Sequence, residues 1–154
     1  MTVSSSQLRR KVAHVNANCA CFNLRRATRA VTQLYDGALR PSGLRVTQFS
    51  LLVILQASGP MSISELAVHS GTDRTTLTRN AALLQAEGLV KVDSGADARV
   101  RMLSLTAAGS RALEDAYPRW AAVQEALSRQ VGNDVISRLL RDLSAVSYRV
   151  PTQV

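Results

Sequence analysis

The chain has only two cysteines and two histidines in 154 residues. Two thiols make no disulfide framework, so a reducing, cytoplasmic location is expected. His14, Cys19, Cys21 and His69 are the soft or imidazole candidates, and they match no zinc spacing. Neither a metal nor a cofactor is therefore expected. There is no G-x-S-x-G, Walker A, G-x-G-x-x-G or H-E-x-x-H motif, and the chain does not read as an enzyme. Runs of 18 apolar residues are missing, which excludes a transmembrane helix, and MTVSSSQLRRKVAHVN lacks the apolar stretch of a signal peptide. No membrane partner is expected. Internal repeats and Gln- or Gly-rich tracts are absent too. Acid is scarce at one end, with eight Lys+Arg against one acid in residues 1–50.

What is present is globular: 46% hydrophobic and 19% charged residues, enough length for a core, and room for one domain or two fused lobes. A net charge of +8 suits a polyanionic partner. The excess is uneven, because residues 51–105 carry five basic and five acidic residues. Any acids in a polyanion-reading segment must then lie away from the partner, as Glu65 and Asp73 would at helix starts.

The most informative stretch runs from Ser62 to Thr106. MSISELAVHSG opens with a capping box, in which Ser62 accepts from the Glu65 N–H and the Glu65 side chain reaches back to Ser62. Met61 and Leu66 stand at staple positions around it. Gly71 supplies the positive-φ residue that ends this helix, and Thr72 or Asp73 starts the next, DRTTLTRNAALLQAEG. Two helices joined by so short a Gly-containing turn make a helix-turn-helix. At about 100° per residue, Leu77, Ala81, Leu84 and Gly88 share one side of the second helix, and Thr75, Thr78, Arg79 and Ala82 share the opposite side. Arg74 sits at the edge of that outer face. Hydroxyls bond phosphates and base edges, methyls meet thymine methyls, and Arg can be bidentate to guanine. A polar face with no partner is the plainer alternative.

LVKV (Leu89 to Val92) and VRMLSL (Val100 to Leu105) read as a two-strand hairpin around DSGADA, a "wing". Arg99 and Arg101, two apart, project from one face at its open end, with Leu103 and Leu105 continuing toward the body. A wing-tip Arg suits the narrow, electronegative minor groove, and Asp97 is placed to orient Arg99. The flanks are helical. The pattern Cys21, Leu24, Thr28, Val31, Tyr35, Ala38 makes a long amphipathic helix from about 20 to 39, ending near Pro41 and Gly43. Thr47 is read as the cap of QFSLLVILQA, which is apolar nearly all round and so expected to be buried. Thr106 caps a helix with Leu113, Ala116, Trp120, Val123 and Leu127 on one stripe, which Pro118 should kink or divide. A last helix after Gly132-Asn133 carries Ile136, Leu139, Leu140, Leu143 and Val146. Three such stripes exceed what one small winged helix covers, so they either form a second core within the chain or bury against another copy, and a two-fold homodimer is the expected solution.

DARVRMLSLTAAG (Asp97 to Gly109) resembles the D-x-R…L-x-L-T-x-x-G signature of the MarR family of bacterial transcriptional regulators. SISELA…TLTRNAALLQAEGLV and GLRVTQFSLLVIL are similar to that family's helix-turn-helix and the segment leading into it. The resemblance covers roughly Cys19 to the C-terminus. It implies a mainly α (α+β) fold: a winged helix-turn-helix over 47–105 and a helical dimerisation domain from 1–46 and 106–154. The implied activity is repressor-type binding of a pseudo-palindromic double-stranded DNA operator by a homodimer, released by a small-molecule or oxidant signal. Arg74, Thr75, Thr76, Thr78, Arg79, Asp97, Arg99 and Arg101 are the expected DNA-site residues. A winged helix serving only protein–protein contacts is the alternative.

Two signals compete. CFNLRRATRAVTQLY (Cys21 to Tyr35) resembles the first helix of the organic-hydroperoxide-sensing branch, where the Cys matching Cys21 is oxidised and Tyr35 matches a tyrosine that bonds the sulfur. Arg25 and Val46 occupy the other matching positions, so the polar cage is incomplete. Nearby cations such as Arg25 favour a thiolate, although a free Cys on a helix is often simply packed. Cys19, read as part of the same helix, would sit about 200° round from Cys21. The competing signal is a small anionic aromatic ligand held by Arg25, Arg26 and Arg29, against the plainer reading of a solvated basic helix face.

Overall fold

A computed structural model describes residues 5–95 and 100–150. Seven helices and a three-stranded sheet follow in the order α1 (Ser5–Asn18), α2 (Ala20–Leu39), a 3-10 turn (Arg40–Ser42), α3 (Val46–Ser58), β1 (Met61–Ser62), α4 (Ile63–Ser70), α5 (Arg74–Ala86), β2 (Val90–Ser94), β3 (Arg101–Leu105), α6 (Ala107–Val131) and α7 (Asn133–Arg149). The mainly helical fold with a small sheet agrees with the sequence expectation.

Several junctions differ from it. The segment before Cys19 is a helix, α1, with no buried residue. Cys19 is not on the next helix but is its N-cap, in extended geometry at φ −73° and ψ 106°. The 200° separation from Cys21 therefore does not apply. Arg45, not Thr47, is the N-cap of α3. Two acceptors serve this start: the Asp36 carboxylate of α2 takes the Val46 N–H at 2.8 Å, and the side-chain carbonyl of Gln48, in the first turn of α3 itself, takes the Arg45 N–H at 2.9 Å. With those donors satisfied, Thr47 is an ordinary first-turn residue. Pro118 lies inside α6 without dividing it. Ala116 and Val123, both buried, hold the helix in place on either side, which offsets the one hydrogen bond that proline removes.

The wing is also more than a two-strand hairpin. β1 adds a third strand, paired antiparallel with β3 through Met61↔Leu103 and Ser62↔Met102, so the sheet order is β1-β3-β2. This ties the start of α4 to the wing. Leu52 of α3, Leu66 of α4, Leu77 and Leu84 of α5, and Leu103 of β3 are fully buried in one core, which Ala116 of α6 joins. The helix pair α4–α5 and the long helix α6 thus share packing.

That join depends on the start of α6. The Thr106 hydroxyl accepts the Gly109 N–H at 3.0 Å and donates to the Gly88 carbonyl at 2.7 Å, while the Thr106 N–H donates to the Leu89 carbonyl at 3.1 Å. Gly109 lies so close to the α5–β2 turn that a Cβ there would fall 2.1 Å from the Leu89 carbonyl oxygen. The L-T-x-x-G run is a packing device that sets α6 against the wing.

Candidate nucleic-acid interface

The caps read from sequence around α4 and α5 are formed. Ser62 and Glu65 make the reciprocal pair, at 3.2 Å from the Glu65 N–H to the Ser62 hydroxyl and 2.8 Å from the Ser62 N–H to the Glu65 carboxylate. Gly71 ends α4 at φ 62°. Asp73 caps α5, its carboxylate accepting the Thr76 N–H at 2.9 Å. The Thr76 hydroxyl, followed by its N–H, holds the Asp73 carboxyl below the ordinary range, and the Ser62 backbone N–H, followed by its hydroxyl, does the same for Glu65. A carboxyl lowered in the folded state stabilises above its unfolded pKa, and that contribution is lost as pH falls through the folded value. Asp73→Ala is accordingly expected to lower the thermal unfolding midpoint at pH 7. The gap from the wild type should close below about pH 4, and a gap unchanged at pH 3 would contradict the charged cap.

These caps fix the rotation of α5. Leu77, Ala81 and Leu84 are buried, and Arg74, Thr75, Thr78, Arg79 and Ala82 form one exposed, shallow concave surface on the other side. Arg74 and Arg79 make no ion pair among the described residues. Thr76 is exposed but outside this surface, and its bonds run to Asp73. Glu65 and Asp73 are spent on caps, and the surface itself presents two guanidinium groups, two hydroxyl-bearing side chains and methyls. On the wing, Arg101 opens β3 opposite Ser94 and is exposed, while Leu103 on the same face is buried. Asp93 is paired with Lys91 at 2.8 Å. Asp97 and Arg99 lie outside the described residues.

The residues singled out as a sensor are not assembled within one chain. Cys21 is exposed and Cys19 half-exposed. Tyr35 is 14 residues beyond Cys21 on α2, about 21 Å along the axis, and its hydroxyl donates to the Gln124 side-chain carbonyl on α6. Burial pushes the Tyr35 phenol pKa up. Arg25, Arg26 and Arg29 line open surface near Cys21, with Arg26 5.9 Å from the Phe22 ring centroid. Sequence reasoning missed an apolar groove of about 530 Å³ between α3 and α6, walled by Phe49, Val53, Ile54, Leu113, Tyr117 and Trp120. The Phe49 and Trp120 rings stack at 6.2 Å between centroids. None of the three arginines lines this groove. It exists because α3 is not buried all round: Ser50, Val53 and Ala57 are exposed along one side. The aromatic side chains on α6 were the available signal.

Among known proteins, residues 42–100 match the MarR family model. A solved transcriptional regulator of M. tuberculosis, MOSR, in complex with DNA, is 45% identical, with a TM-score of 0.74 over 86% of this chain and 100% of that one. A MarR-family regulator from Rhodococcus sp. RHA1 superimposes with a TM-score of 0.77 at 23% identity, over 88% of this chain and 97% of that one. In sequence, the chain is 26% identical to the uncharacterized HTH-type regulator YwoH of Bacillus subtilis over 77% of this chain and 88% of that protein. With full coverage of a regulator at 45% identity and the family model spanning the helix-turn-helix, the chain belongs to the MarR family of winged-helix transcriptional regulators.

Proposed function

We propose that this chain is a repressor-type regulator that binds a pseudo-palindromic duplex operator as a homodimer. The exposed face of α5 lies in the major groove and the wing, with Arg99 and Arg101, reaches the minor groove. The observation that carries this is the α5 surface itself: two guanidinium groups with no ion pair among the described residues, flanking Thr75, Thr78 and Ala82 opposite a buried leucine face. The DNA complex of the 45% identical M. tuberculosis regulator supports the same reading.

Residues 47–105 are the reading head, and 1–46 with 106–154 are the dimerisation domain. Exposed apolar residues on the terminal helices support a second copy: Val12 at 54%, Phe22 at 44%, Leu139 at 43% and Leu140 at 59% exposure. Burying such stripes is the main driving force of association. Two heads related by a two-fold axis then meet half-sites about one helical turn apart.

The test is binding of a duplex, enriched from a random-sequence library by the protein itself, over a range of salt. Arg99→Ala is expected to weaken binding and to flatten the log–log salt dependence by about one unit per subunit. Unchanged affinity and slope would favour a module for protein contacts instead.

Release is by a small aromatic ligand in the α3–α6 groove, whose volume is within the usual range for small-molecule sites. Binding there would shift the spacing of the two heads. Arg25, Arg26 and Arg29 supply no counter-charge to the groove within one chain, so an anionic group on the ligand needs another partner. A second reading, organic-peroxide sensing, is favoured by the accessibility of Cys21 and by the helix break at Cys19. Under it, Cys21→Ser abolishes release by cumene hydroperoxide. Release that persists in that variant leaves the groove as the sensor.

A further inference from the structure

The two threonines on the α5 surface are not equivalent. Thr78 donates its hydroxyl proton to the Arg74 backbone carbonyl, four residues back, at 2.7 Å. No such bond holds the Thr75 hydroxyl among the described residues. A threonine hydroxyl has one proton to give. With that proton held by the helix, Thr78 cannot donate to guanine O6 or N7, adenine N7 or thymine O4. What its exposed side chain offers outward is the γ-methyl group and a remaining oxygen lone pair.

Placement makes the methyl matter. On the helical wheel, Thr78 and Ala82 are one turn apart near the centre of the exposed face, with Arg74 at one edge and Arg79 at the other. The Thr78 γ-methyl and the Ala82 β-methyl therefore form a short apolar seam between two guanidinium groups. Within the major groove, the base feature that matches such a seam is the thymine C5-methyl group.

We infer that Thr78 recognises a thymine in each half-site through its γ-methyl group, while its hydroxyl remains bonded to the helix. This rests on the DNA-binding reading above. Thr75, whose hydroxyl has no bond among the described residues, is the threonine that donates to a phosphate or base edge. Thr78 makes its position selective by shape and apolar contact, where a hydrogen-bonding threonine would accept several bases.

The two roles predict opposite orders among three variants. A methyl reader tolerates Thr78→Val and suffers from Thr78→Ser; a hydroxyl reader does the reverse. The probe is the duplex enriched by the wild-type protein, resynthesised with deoxyuridine in place of each thymine in turn, which deletes one methyl group at a time. At one thymine per half-site, deoxyuridine is expected to weaken wild-type binding about fourfold, the worth of one buried methyl-sized group. Thr78→Val should keep that penalty and lose less affinity for the parent duplex than Thr78→Ser. Thr78→Ser should bind it less tightly and be indifferent to the same deoxyuridine. Thr78→Ala should be no better than Thr78→Ser. Unfolding midpoints check that these exposed-site variants are folded.

Wild-type affinity in Thr78→Ser together with a loss in Thr78→Val would overturn the inference. So would a deoxyuridine penalty that persists unchanged in Thr78→Ser, or equal binding by all variants. These outcomes leave the regulator reading intact. Failure of the wild-type protein to enrich any duplex would instead remove the DNA-binding reading on which the inference stands.

Discussion

Gly109→Ala lowers the unfolding midpoint by about 5–10 °C, corresponding to a loss of about 2–3 kcal/mol. The sign is the informative part. In an unobstructed helix position this exchange is stabilising by roughly 1 kcal/mol, because alanine is the better helix former. Here the new Cβ would stand 2.1 Å from the Leu89 carbonyl oxygen and 2.7 Å from Leu105 Cδ1. The carbonyl cannot easily withdraw. It already accepts from the Thr106 N–H and lies within 3.1 Å of the Thr106 hydroxyl. Relief therefore requires α6 to move away from the wing. Because α6 also packs on α2 and α3, the variant should lose DNA affinity along with stability. A midpoint equal to or above that of the wild type, measured by calorimetry, would show that α6 does not rest on the α5–β2 turn in this way.

Arg79→Ala reduces affinity for the enriched duplex by more than about 30-fold, at about 1–3 kcal/mol for each of two half-sites. Its stability should stay within about 0.5 kcal/mol of the wild type, because the side chain is exposed and makes no ion pair among the described residues. The reduction should be accompanied by relaxed preference at one base pair per half-site, since a guanidinium is bidentate to guanine. A substitution at a phosphate-contacting residue, by contrast, weakens all sequences alike. Loss of affinity without loss of sequence preference would move Arg79 from the base edges to the backbone.

The reading helices were legible in the sequence because their signals are local. The Ser62–Glu65 pair, Gly71 and the Asp73 cap each act within four residues, and together they fix which side of α5 faces outward. Thr106 at the start of α6 is legible for the same reason. What escaped is non-local or too short to carry a period. β1 has two residues and is a strand only because Leu103 lies opposite Met61. The start of α3 is satisfied by Asp36, ten residues earlier on α2, which no local capping pattern announces. The α3–α6 groove combines residues more than fifty positions apart, and the apolar run of α3 gave no hint that one side stays open. α1 carries Leu8, Val12 and Val15 at helical spacing, but that apolar side stays exposed in the single chain.

Sensor residues were the least legible. Cys21, Tyr35 and the three arginines share one helix in sequence, yet a helix separates Cys21 from Tyr35 by about 21 Å. In the chain Tyr35 is committed to Gln124 instead. Any thiol–phenol contact would have to come from a second copy. This is why the proposed pairing of two copies, and not the helix alone, would decide between the peroxide and ligand readings.

The most direct measurement is dimethyl sulfate protection on the enriched duplex, which reports access to guanine N7 in the major groove. Two protected patches about 10 base pairs apart are expected with the wild-type protein, and Arg79→Ala should unmask a guanine in each. Protection identical in wild type and Arg79→Ala, or a bound duplex with every N7 accessible, would contradict a major-groove role for the exposed face of α5.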